Sequence, residues 1–205
     1  KNRPLWSAGL GWNISNEDFM KEIKWVNMLK LRTTYGINGN IDQSTTPYIT
    51  ATRRNDNLYQ SLQYTNITAQ PNPMLRWEKT QTTNVGVDYS LFRGKLNGTI
   101  DVYRKYSSDL LATTDLDPTV GALSRRINAG GLLNKGIEFS AGSEWYKTGD
   151  FRIASNLIFA FNKTTVKEIT RAMSTASVYI SSPGDYFLKD DTYNSLYAYK
   201  YGGTV

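Results

Sequence analysis

Apolar and polar residues alternate with a period of two along most of the chain, the pattern of strands that show one face to each of two environments. Trp6, Ala8, Leu10, Trp12 and Ile14 share a face against Ser7, Gly9, Gly11 and Asn13. Leu29, Leu31, Thr33, Tyr35 and Ile37 then oppose Lys30, Arg32, Thr34 and Asn38. A third strand sets Val85, Val87, Tyr89 and Leu91 against Asn84, Gly86, Asp88 and Ser90. The fourth sets Leu96, Gly98, Ile100 and Val102 against Asn97, Thr99, Asp101 and Tyr103. Ile137, Phe139, Ala141, Ser143 and Trp145 make a fifth, and Phe151, Ile153, Ser155, Leu157, Phe159 and Phe161 a sixth. A seventh is expected from Leu196, Ala198 and Lys200 with Tyr197, Tyr199 and Tyr201 between them.

Punctuation agrees with that division. Pro47, Pro71, Pro73, Pro118 and Pro183 fall between strands, and Pro4 stands at a strand's start, because proline cannot donate to a ladder. Helical spacing occurs once, in residues 16–26. Asn16 is its candidate cap, Glu17 and Asp18 lie in the first turn, and Phe19, Ile23 and Val26 recur on one side. Two hairpins can be registered. A turn at Arg93 and Gly94 puts Leu91 opposite Leu96, Val87 opposite Ile100 and Val85 opposite Val102. A three-residue loop of Lys147, Thr148 and Gly149 predicts Trp145 opposite Phe151, Phe139 opposite Leu157 and Glu144 opposite Arg152.

Connections alternate between short (residues 15–25, 93–94 and 147–149) and long (residues 40–74, 111–131 and 170–194). Strands of about a dozen residues, against about 5–6 in an average sheet, point the same way. Both features favour an all-β fold: an antiparallel transmembrane β-barrel segment, with short turns at one rim and long loops at the other. Aromatics gather where two girdles would lie: Trp12, Trp25, Tyr89, Phe92, Trp145, Tyr146 and Phe151 near the turns, Trp77, Tyr103, Tyr106, Phe159 and Phe161 nearer the loops. In that frame Leu31, Val85, Val87, Tyr89, Ile100, Phe139, Ile153, Leu157 and Phe159 are lipid-facing. Arg32, Asp88, Asp101, Glu138, Glu144 and Arg152 face the lumen. A soluble β-sandwich that binds glycans is the alternative, since its strands also alternate.

Composition narrows the chemistry. The 205 residues contain no cysteine and no histidine, which removes disulfides, thiol nucleophiles and the commonest general base and metal ligand. Mean hydropathy is −0.48, and the longest apolar run covers residues 157–161, far short of the ~20 residues of a spanning helix. The charge of +6 is scattered and accompanied by no RNA-binding aromatic motif, so nucleic acid is not expected as a partner. Asp88, Asp101, Glu138 and Glu144 read as charge ladders with Lys30, Arg32 and Arg152 rather than as a hydrolytic pair. Asp115, Asp117 and the acids of 185–191 lack the spacing of a calcium loop. No catalytic residue, metal or cofactor is expected. Aromatic and arginine side chains in the long connections, Arg53, Arg54, Tyr59, Tyr179, Tyr186, Phe187 and Tyr193, are the candidates for touching a partner or substrate.

The run Leu75-Arg-Trp-Glu-Lys-Thr-Gln-Thr-Thr-Asn-Val-Gly-Val-Asp88, continued through Leu110, resembles a barrel segment of the SusC/RagA family. So do residues 7–19, 29–40, 134–138 and 197–203, in the same order. Strand blocks carry the likeness; the long loops do not. The resemblance implies a TonB-linked outer-membrane transporter of Bacteroidetes-type bacteria, a multi-pass barrel of 22 strands with an N-terminal plug, importing oligosaccharides or peptides. A SusD-like surface lipoprotein, the TonB system and outer-membrane lipid would be its partners. On that basis residues 1–205 are expected to be part of a C-terminal barrel domain of about seven strands, with the plug and remaining strands elsewhere in the parent chain. A barrel that serves another outer-membrane assembly without importing is the second reading of the same resemblance.

Overall fold

The computed structural model describes residues 4–42, 45–56, 62–122, 124–169, 175–182 and 186–203. Six long strands form one antiparallel sheet in the order β1-β2-β5-β6-β7-β8. They are β1 (Trp6–Asn13), β2 (Val26–Asn40), β5 (Glu78–Leu91), β6 (Leu96–Asp115), β7 (Ser124–Thr148) and β8 (Phe151–Glu168). β3 (Thr50–Asp56) and β4 (Leu62–Ala69) make a separate two-stranded hairpin within the connection from β2 to β5. One short helix, α1 (Ala176–Ser181), follows β8.

Register carries the alternation across all six strands. Trp12, Leu31, Val87, Ile100, Phe139 and Phe159 form one continuous cross-strand row. On the opposite face Gly11, Arg32, Gly86, Asp101, Glu138 and Ala160 form another. A register slip of one residue would exchange the two faces, so apolar rows that persist over six strands fix the pairing. The β5–β6 turn closes on Leu91 and Leu96 as the sequence predicts, with Gly94 at φ +82°. The β1–β2, β5–β6 and β7–β8 connections lie at one end of the sheet, and at the other a long segment joins β2 to β5. The long connection expected over residues 111–131 is corrected: β6 and β7 pair on through Asp115 and Ser124 and leave a link shorter than that between β1 and β2.

Almost nothing is buried. Among the described residues the buried apolar side chains are Val166 and Tyr179. The chain exposes 15,235 Å², where a compact monomer of this mass exposes about 9,700 Å². A single sheet has no second layer to dry either face. The alternative of a sandwich is not what these strands build, and the sheet's apolar face has to be covered from outside this chain.

The structure corrects several expectations. The barrel segment is an open sheet: β1 and β8 are its two edges and do not pair with each other. With that goes the transmembrane β-barrel and its multi-pass placement in an outer membrane, since the strands of this chain close on nothing. Separately, no helix among the described residues is long and apolar enough to cross a membrane. The expected seventh strand near Leu196 does not form. Asp190 and Asn194 take positive φ, and the segment docks on the upper edge of β8 through Val166 N–H to Asp191 O (2.9 Å), Asp190 N–H to Val166 O (2.7 Å) and Tyr193 N–H to Thr164 O (2.8 Å).

The helix over residues 16–26 is replaced by two 3-10 turns, Ile14–Asn16 and Asp18–Met20, with Glu17 extended between them. No side chain caps either turn, and a helix this short gains too little to outweigh its nucleation. The β7–β8 hairpin also differs. Its turn is Gly149 and Asp150, Phe139 pairs with Phe159, and a bulge between Glu144 and Tyr146 leaves Trp145 outside the ladder. Tyr146 therefore meets Ile153, and Thr148 meets Phe151.

Candidate functional site: a polar sheet face and a loop end

All six residues expected on a wet face lie together. Arg32 makes a bidentate pair with Asp88, Nε to Oδ2 and Nη2 to Oδ1, both at 2.8 Å. The same Nη2 reaches Asp101 at 3.2 and 3.3 Å, and Asn84 donates to Asp101 Oδ1 at 3.2 Å. Arg32 on β2 can touch β6 because Gly86 stands between them on β5. A Cβ there would run into Asp101 Oδ1 and come within 2.8 Å of Arg32 Nη2. Glu138 is opposite Asp101 and exposed. Nearer the turns Glu144 is registered against Ala154 and Arg152 against Lys147, not against each other as expected, yet Arg152 Nε reaches diagonally to Glu144 Oε2 at 2.6 Å. Charges of opposite sign thus meet diagonally between neighbouring strands on this face.

The nine residues expected on the other side, Leu31, Val85, Val87, Tyr89, Ile100, Phe139, Ile153, Leu157 and Phe159, share the opposite face. Tyr89 crosses to β6 and lies over Gly98, its hydroxyl donating to Ser140 O at 3.1 Å. At the turn end Trp25 stacks on Phe92 at 5.8 Å, Tyr146 meets Phe151 at 6.1 Å, and Trp145 Nε1 donates to Ser155 Oγ at 2.6 Å.

The loop candidates divide. Arg53 and Arg54 are exposed on β3; Tyr59 lies outside the described residues. Tyr179 is buried against Tyr186 (6.4 Å) and Tyr197 (5.5 Å), while Phe187 stacks on Tyr193 at 4.8 Å. These four pack on each other and on their own loop. Asp191 anchors that loop. It accepts from the Tyr197 hydroxyl at 2.8 Å and from Thr192 N–H at 2.7 Å, in that order of effect holding its carboxyl below the usual range. Burial, then the bond to Asp191, raises Tyr197. Asp190 is lowered by Lys167, whose Nζ lies 2.6 Å away.

Sequence reasoning missed the polar clamps at the loop end. Asn128 on β7 accepts from Arg76 N–H at 2.8 Å and donates to the carbonyls of Arg76 and Asp109 at 2.6 and 2.7 Å. Asn72, buried, donates to Arg126 O at 2.9 Å and accepts from Met74 N–H. Glu78 accepts from Leu111 N–H and from Asn40, each at 2.9 Å. Nothing local in the sequence marks these residues, because each clamp joins segments distant along the chain. Among the described residues no group of three or more acids could hold a metal.

The family model for the TonB dependent receptor-like β-barrel matches residues 1–204. The chain belongs to that family. TonB-dependent receptor P39 of Formosa agariphila is 31% identical over 192 residues, covering 93% of this chain and 18% of that protein. TonB-dependent receptor SusC of Bacteroides thetaiotaomicron is 31% identical over 173 residues, 80% of this chain and 17% of that one. Among solved structures, the RagAB peptide transporter superposes with a TM-score of 0.72 at 25% identity, over 80% of this chain and 18% of the other. The RagAB peptide importer in its closed-closed state gives a TM-score of 0.73 at 24% identity, over 82% and 18%, a likeness of fold. The chain therefore spans about a fifth of the length of these relatives. Members of the TonB-dependent receptor family are transporters, not enzymes.

Proposed function

We propose that this chain serves TonB-dependent import of a nutrient, an oligosaccharide or a peptide, as one panel of its parent protein's wall. The match of the family model over residues 1–204 is the observation that carries this. In this reading Leu31, Val87, Ile100, Phe139 and their neighbours turn toward apolar surroundings supplied from outside the chain. Arg32, Asp88, Asp101, Glu138, Glu144 and Arg152 turn toward water along the cargo's route. Import asks no covalent chemistry of the panel, only a wall held in register and a wet face.

The finer assignments follow the same reading. A SusD-like lipoprotein is the proposed partner at the loop end, where Arg53 and Arg54 are exposed on β3. Contact with TonB is assigned to parts of the parent outside residues 1–205. Uptake of labelled oligosaccharides and peptides by cells carrying the intact parent gene tests the proposal. Accumulation of one cargo class is expected, and it should stop when either the parent gene or TonB is removed. Accumulation unaffected by both deletions contradicts it.

A further inference from the structure

On the apolar face, Val85, Val102, Ile137 and Phe161 form one cross-strand row. The next row on that face, toward the loop end, is Thr83, Arg104, Lys135 and Lys163. Three cations thus stand directly abreast on β6, β7 and β8, all exposed. With strands ~4.8 Å apart, their row covers about 10 Å. None of the three joins an ion pair among the described residues. The same-face row beyond them, from Gln81 to Thr165, contains no acid. Asp191 lies near enough to Lys163 to feel its charge, but its carboxylate is already held by Tyr197 and Thr192. On the other face, by contrast, Arg32 has both Asp88 and Asp101. The three cations and the Val85 row together line a groove of about 760 Å³, and no acidic residue lines it.

We propose that this groove binds an anionic phospholipid, its phosphate against Arg104, Lys135 and Lys163 and its acyl chain along Val102, Ile137 and Phe161. Like charges directly opposed on neighbouring strands repel, so the row is costly until an anion settles on it. Arginine offers phosphate a fork of parallel donors and lysine a point charge, and all three side chains are long enough to converge on one headgroup. A lone cation beside an apolar surface needs only to bend its stem toward water; three abreast concentrate charge beyond that need. A soluble polyanion would match the charge but leave the Val102, Ile137 and Phe161 wall wet, whereas a lipid covers both. From that wall the apolar face continues toward the turn end through Ile100, Phe139 and Phe159, which gives the acyl chain its path. The inference rests on the reading that this face meets apolar surroundings, and not on import of any cargo.

Lipid binding to the complete parent protein, purified in a non-ionic detergent, tests this without cargo or TonB, so its failure and the failure of the import proposal are separable. The probes are phosphatidylglycerol and phosphatidylcholine with identical acyl chains, the second carrying a choline that cancels its phosphate charge. Phosphatidylglycerol should bind about tenfold tighter or more, since each basic residue at an anionic headgroup contributes roughly fivefold. Lys135→Gln should reduce that preference by about fivefold, and Lys135→Arg should keep most of it. Replacing Arg104, Lys135 and Lys163 together by Gln should abolish it while phosphatidylcholine binding stays as it was, which shows the groove intact. Arg93→Gln at the turn end should change nothing. Soluble glycerol phosphate, a headgroup without chains, should not displace the bound lipid at matching concentration. Equal binding of the two lipids overturns the proposal. So does a preference that survives Lys135→Gln and the triple replacement, and so does displacement by glycerol phosphate.

Discussion

The guanidinium of Arg32 spans two strand spacings to reach Asp101, with Gly86 open beneath it. Tyr89 over Gly98 is the apolar-side counterpart. The two glycines differ in what a methyl group would strike. At Gly86 the obstacles are ends of side chains, which can swing aside at the cost of one ion pair. At Gly98 they are the carbonyl of Ser140, 2.9 Å from its carbon, and the Tyr89 hydroxyl. Gly86→Ala should therefore cost about 1 kcal/mol, the scale of a part-exposed pair. Gly98→Ala should cost ~2–3 kcal/mol, the upper range for forcing an added group into fixed surroundings. Denaturant unfolding of the parent protein measures both, and the reverse order would contradict the geometry.

The β7–β8 register can be checked by crosslinking. Ser143 and Ser155 are directly opposed, whereas the alternation alone puts Trp145 against Phe151. Cysteines at 143 and 155 should oxidise to a disulfide, because opposed residues in an antiparallel pair lie within bridging distance. Cysteines at 145 and 151 should not, since the bulge moves Trp145 out of the ladder. Preferential bridging of the second pair would restore the three-residue loop.

Docking of residues 190–193 on β8 should weaken in acid. Asp190 and Asp191 are both lowered in the folded chain. Their contribution is thus complete above the ordinary carboxylate value and is lost as pH falls through the lowered one. The amides of Val166 and Tyr193 report it, since both donate across this contact. Hydrogen exchange, corrected for its intrinsic pH dependence, should show their protection falling below about pH 4. Asp191→Asn should remove part of that dependence. Protection that stays flat into strong acid would show that the carboxylates do not hold the segment.

The division of faces was legible because each strand repeats it several times, so a single misplaced residue cannot erase it. The β5–β6 turn was legible because Gly94 supplies the left-handed position. The bulge at Trp145 was not, since an aromatic at a strand end satisfies either parity. The sequence of β3 and β4 reads as loop because their Thr, Asn and Arg residues carry no apolar alternation; they pair with each other and bury little. The aromatics of the last loop suggested an interaction surface by residue type, yet Tyr179, Tyr186, Phe187 and Tyr193 largely satisfy one another. Sheet closure, finally, concerns edges, and a pattern within strands does not say whether the outermost two meet.

The central claim is that alternate residues of this sheet meet different environments in the intact protein. The chain has no cysteine, so single cysteines placed from 82 to 89 along β5 in a cysteine-free parent give a direct reading with a membrane-impermeant, water-soluble maleimide. Positions 82, 84, 86 and 88 should label readily, and 83, 85, 87 and 89 should be protected. Uniform labelling, or protection of the even positions, would contradict the account.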